Sequence, residues 1–145
     1  MSYPVLLTLH LFAALIFIGT VFFEVLVLER VRRMVPPDAM RVVERAIGTR
    51  ARSFMPWVIL VLFGAGIGMA AHYGSALAHP LTSLFGLLLT IKIVLAFSVL
   101  GHFITAMVSM KRKTMTARRS HFIHYSIFTH MVLIVLLAKW MFYLH

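Results

Sequence analysis

The stretch SLFGLLLTIKIVLAFSVLGHFITAMVSMKRK, residues 83–113, places Lys92 and His102 inside an apolar run long enough to cross a bilayer. About 18 consecutive apolar residues suffice for a spanning helix. An ionisable side chain at the centre of such a helix costs on the order of 3 kcal/mol, so both residues are functional candidates from the start. Three further runs have the same character: residues 3–28, 54–73 and 124–144. With 61% hydrophobic residues among 145 and a mean hydropathy of +0.96, the chain lies far outside the composition of water-soluble domains. The pattern predicts an all-α, integral membrane four-helix bundle forming a single domain, residues 1–145.

A net charge of +10 would suggest nucleic acid, but the basic residues gather in two connections. Arg30, Arg32, Arg33, Arg41, Arg45, Arg50 and Arg52 lie between the first two spans. Lys111, Arg112, Lys113, Arg118 and Arg119 lie between the last two, and the middle connection GSALAHPLTS has none. This asymmetry predicts cytoplasmic basic loops, both termini periplasmic, and a bacterial inner-membrane location with no nucleic-acid partner. No basic n-region or cleavage site marks residues 3–28, which read as a retained helix. The first helix is expected to stop before Pro36 and Pro37. PPDAMRVVERAIGTRARS then reads as a short cytoplasmic amphipathic helix against anionic headgroups. In the second span Gly64 and Gly68 form a small-xxx-small pair suited to close helix packing.

Counting 1.5 Å per residue puts His10 and Lys92 at similar depth in the outer half, and His102 and His130 at similar depth in the inner half. Ser98, His102, Thr105 and Ser109 recur at intervals of four, three and four, a polar stripe on the third helix. Ser126 and His130 begin a line that Leu133 and Leu137 continue on the fourth, and Glu24 shares nearly one face of the first helix with His10. The expected interior therefore contains His10, Glu24, Lys92, His102 and His130. Histidines matched in depth on facing helices suit the axial positions of haem b, with His10, His102 and His130 as candidate iron ligands. The bland alternative is that they only hydrogen-bond across helices. Lys92 is a candidate ligand or a cation for a haem propionate, and Lys92 with Glu24 are candidate catalytic groups. His72, His79 and His145 at the outer rim form a weaker candidate site for copper or zinc. Cys is absent, which removes thiolate chemistry and disulfides. No phosphate loop, nucleophile elbow or HExxH motif is present.

LHLFAALIFIGTVFF with His10, RSFMPWVILVLFGAGIGM in the second span, LLLTIKIVLAF with Lys92, and GHF before a basic loop together resemble the superfamily of HemJ-type protoporphyrinogen oxidases and CopD-like copper-resistance membrane proteins. The HemJ resemblance implies haem b, oxidation of a porphyrinogen, and His10 and Lys92 as key intramembrane residues. The CopD resemblance implies copper transport or resistance. His102 and His130 go beyond the HemJ pattern. The expected partners are the lipid bilayer, a quinone or porphyrin substrate, and further copies or a larger membrane complex, the last being the accessory-subunit alternative.

Overall fold

In the computed structural model, which describes residues 1–144, the chain is all-α, and no strand occurs among the described residues. Four helical stretches are long and apolar enough to cross a membrane: Tyr3–Val31, Pro37–Ala78, Leu84–Lys111 and Ala117–Trp140. The chain divides into two compact units, Met1–His72 and Tyr73–His145, each built on a pair of these helices.

In the first unit, α1 (Tyr3–Phe22) starts with Pro4 in its first turn, where a missing N–H costs no hydrogen bond. It runs without a break through a π-helical segment, Phe23–Leu28, into the single turn α2, Glu29–Val31. A turn then leads to α3 (Pro37–Ala70), which begins at Pro37. The amphipathic segment is helical as its pattern predicts, but it is continuous with the second span. A separate interfacial helix needs a helix-ending signal near residue 53, and ARSFMPW supplies only Pro56, which α3 accommodates in its interior. Ala13, Phe17 and Val21, four apart, form the buried stripe of α1, with Leu28 beyond them. Met40, Met55, Ile59 and Ala65 are the buried residues of α3. The opposite faces expose Phe12, Leu15, Trp57 and Leu60, as lipid contact requires.

In the second unit, α4 (Gly74–Ala78) leads to α5 (Leu84–Lys111) and α6 (Ala117–Trp140). Ser83 caps α5 by accepting from Gly86 N–H at 3.0 Å, and Thr116 caps α6 by accepting from Arg119 N–H at 3.2 Å. Between them Lys113 takes a left-handed conformation, φ 57°, which helps close the basic turn. Leu89, Val99 and Ser109 on α5 are buried, as are Ile123, Ile127 and Met131 on α6. Thr105 and Leu133 are exposed, so each expected stripe is narrower than its sequence spacing suggested.

The glycine pairing also differs from the expectation. A methyl at Gly64 would meet nothing within 4 Å, whereas at Gly68 it would stand 3.1 Å from both Leu6 methyl groups, and at Gly66 it would stand 3.2 Å from His10 Cε1. The close approach of α1 to α3 is thus made over Gly66 and Gly68. We expect Gly64→Ala to be neutral or to stabilise by up to about 1 kcal/mol through helix propensity. Gly66→Ala should destabilise in thermal unfolding of the detergent-solubilised protein, and the opposite order would contradict this packing.

Candidate functional site

His10 lies on the buried side of α1, one turn before Ala13. Its Nδ1 is 2.9 Å from the main-chain oxygen of Leu62 on α3. A carbonyl oxygen only accepts, so Nδ1 carries a proton, and in the neutral ring Nε2 is then the lone-pair nitrogen. The ring fits because Gly66, one turn beyond Leu62, has no side chain, and a Cβ there would come within 3.3 Å of Nδ1.

The second unit holds a reciprocal arrangement. His102 Nδ1–H donates to the Ser98 carbonyl at 2.8 Å, and His130 Nδ1–H donates to the Ser126 carbonyl at 2.7 Å, each within its own helix. Each Nε2 then accepts from the serine of the other helix: Ser98 Oγ to His130 Nε2 at 3.1 Å, and Ser126 Oγ to His102 Nε2 at 3.0 Å. The two Ser–x–x–x–His segments therefore cross-link α5 and α6 through both side chains. The imidazole centroids lie 5.6 Å apart with their planes at 50°. Phe122 packs beside His102, with ring centroids 6.3 Å apart.

Lys92 is half-buried on α5 and, among the described residues, makes no hydrogen bond or ion pair. Residues 73–145 contain no Asp or Glu side chain, since all four such residues of the chain fall between Glu24 and Glu44. His10 and Lys92, expected at matched depth, belong to different units.

Glu24 lies in the π-helical segment, which widens the helix where the first span approaches its basic end. Beyond it, Arg32 bridges Glu29 and Glu44 and so ties the end of α2 to α3. Burial, the largest single influence on Arg32, opposes its charge. The hydrogen-bonded Glu44, then Glu29 and Glu24, outweigh burial and hold the guanidinium above its ordinary value. Glu24 is thus part of the electrostatic surroundings of Arg32.

At the outer rim, His72 Nδ1–H donates to the Gly68 carbonyl at 3.0 Å, and its ring meets Tyr3 edge-on at 5.3 Å. His79 is an exposed residue at the end of α4, and His145 lies outside the described residues. Among the described residues no three His, Asp or Glu side chains gather where they could hold a metal ion.

The crossed serine–histidine links are the feature that spacing alone did not reveal. The signal was present as Ser–x–x–x–His on both helices, but a one-dimensional reading cannot say that each hydroxyl serves the other helix. Gly66 was likewise legible only as one of three glycines in FGAGIGM.

Interhelical hydrogen bonds in membranes average about 0.6 kcal/mol, so Ser98→Ala and Ser126→Ala should each lower unfolding stability by about that amount. In a double-mutant cycle, Ser98→Ala should couple to His130→Ala and not to His102→Ala. Equal coupling to both histidines would refute the crossed pairing.

No protein-family model, curated protein or solved structure matches the chain, so its functional reading rests on these residues.

Proposed function

We propose that this is a haem b-binding protein of the membrane, working in electron transfer or as an oxidoreductase. The observation that carries the reading is that His10, His102 and His130 all hold Nδ1 against a main-chain carbonyl. An imidazole that ligates a metal characteristically donates its other N–H to such a group, which fixes the tautomer and orients the ring. Each of these histidines, neutral and with its lone pair on Nε2, has the right chemistry for a ligand to haem iron.

The fit is best at His10. Its ring is anchored to Leu62 and seated over Gly66, so both its direction and its tautomer are set by α3. At His102 and His130 the Nε2 atoms accept from Ser126 and Ser98, and these hydroxyls must turn aside before either nitrogen could bind iron. His10, its ring oriented from α3, is the first ligand to test, and the inner pair is the second. When bound, haem supplies one-electron chemistry that none of these side chains provides. The chain's own part is to orient the His10 ring from α3 and to offer the Lys92 ammonium to a carboxylate. A haem propionate or a carboxylate-bearing porphyrin substrate suits Lys92, because its unit has no acidic side chain.

The resemblance to HemJ-type proteins favours porphyrinogen oxidation, and a quinone is a fitting electron acceptor inside a bilayer. The basic connections support a bacterial inner-membrane placement with both termini periplasmic. Copper handling, the second implication of the resemblance, has no three-residue donor group among the described residues to favour it.

The test is a dithionite-reduced minus oxidised absorption spectrum of protein purified after haem-supplemented expression, with iron and copper measured on the same sample. The reading expects a b-type reduced α-band, loss of that band in His10→Ala, and retention in Ser98→Ala. A colourless protein, or a band indifferent to His10 and to the inner pair alike, would end it.

A further inference from the structure

The first unit continues well beyond what a bilayer needs. The helical stretch Tyr3–Val31 has 29 residues and α3 has 34, about 43 and 51 Å at 1.5 Å per residue, against a hydrocarbon core of about 30 Å. The apolar parts end near Leu28 and begin again near Phe54, so residues 29–53 form a helical hairpin outside the hydrocarbon. Met40 is buried in it, as is Leu28 just before it, and Arg32 clamps its two arms through Glu29 and Glu44.

This hairpin carries seven arginines and only three carboxylates, Glu29, Asp38 and Glu44. All three are already engaged, two by Arg32 and the third by Arg41. Arg41, Arg45, Gly48 and Arg52, spaced four, three and four, share one face of α3. Arg45 and Arg52 are exposed. Between them Gly48 leaves the helix surface bare, and Arg52 leans over it: a methyl at Gly48 would stand 3.2 Å from Arg52 Nη1. Thr49 Oγ1 accepts from Arg52 Nη2 at 3.1 Å, which steadies the guanidinium on this face.

The membrane level is marked independently. Trp57 is 68% exposed, and the Arg50 guanidinium lies over the Phe54 ring, 5.8 Å from its centroid. Tryptophan concentrates at the boundary between hydrocarbon and headgroups. Arg52 is five residues from Trp57, about 7–8 Å along the axis, which sets it among the phosphates.

We propose that Arg45, Gly48 and Arg52 form a site for the phosphodiester of an anionic phospholipid, the two guanidinium groups holding its oxygens across the gap left by the glycine. Guanidinium presents paired donors that match phosphate geometry. With seven arginines against three carboxylates, the hairpin carries a net positive charge at the level of the headgroups. The site is independent of haem binding.

The test uses the full chain in mild detergent, offered equal amounts of phosphatidylglycerol and phosphatidylcholine, with the first retained lipid identified by native mass spectrometry. Each arginine facing anionic lipid contributes about fivefold, so Arg45→Gln with Arg52→Gln should lower the phosphatidylglycerol preference by about twentyfold. Gly48→Leu changes no charge but fills the gap, and it should lower the preference as well. Arg118→Gln with Arg119→Gln removes the same charge from the other basic connection and should leave the preference within about twofold, a fraction of one arginine's effect. Equal losses from the two double variants would show diffuse attraction and overturn the site. Retention of the preference in Arg45→Gln with Arg52→Gln would overturn it too, whether or not the Gly48→Leu variant folds.

Discussion

A polar group in hydrocarbon has no water to turn to, so every donor and acceptor in a spanning segment must find its partner within the protein. The polar side chains of this structure are arranged around that requirement. Thr8, Thr20, Thr90 and Thr129 return their hydroxyl protons to carbonyls one turn back, so they sit in or near lipid without a partner helix. The imidazoles have two nitrogens to satisfy and cannot all do this alone. His102 and His130 give one nitrogen to their own helix and one to the neighbouring helix, while His10 reaches across to Leu62. The same bonds that satisfy them fix their tautomers, and a fixed tautomer is the chemical basis for reading them as ligands.

Charge is distributed as unevenly as hydrogen bonding. Every Asp and Glu lies between residues 24 and 44, so the first unit neutralises part of its basic extension by internal ion pairs. The second unit has no acidic side chain, and its one ionisable residue outside the histidines that sits deep in a span, Lys92, has no partner among the described residues. One unit therefore spends its carboxylates on holding a hairpin together, and the other presents a cation that suits an anionic ligand. The lone Lys92 and the paired Arg32 illustrate opposite outcomes of the same cost of placing charge away from water.

Much of the fold was legible in the sequence because hydrocarbon thickness sets helix length directly. The four spans and the stop before Pro37 follow from residue type and spacing, whereas the cap at Thr116, which starts the last helix at Ala117, was not read from the sequence. The continuity of α3 was not legible: the polarity change at Ser53 reads as a boundary, yet a helix needs no change of direction to leave a membrane. That His10 turns toward the protein was expected from its polarity within an apolar span, and the structure leaves it half-buried. Its seat over Gly66 was not expected, since FGAGIGM offers three glycines and only the rotation of α3 against α1 chooses among them. For the same reason the sequence paired His102 and His130 by depth but could not show that serines stand between their lone pairs. Depth is encoded by counting along a helix, whereas helix rotation is encoded by the sum of all packing contacts.

The most direct test of this account is ¹⁵N nuclear magnetic resonance of histidine-labelled protein in bilayers at neutral pH. The account predicts the Nδ1-protonated tautomer for His10, His102 and His130 alike, an uncommon state for histidine in water, assigned by loss of each signal in single His→Gln variants. A bare Nδ1 in His10 would contradict the carbonyl anchor at Leu62 and, with it, the tautomer on which the ligand reading rests.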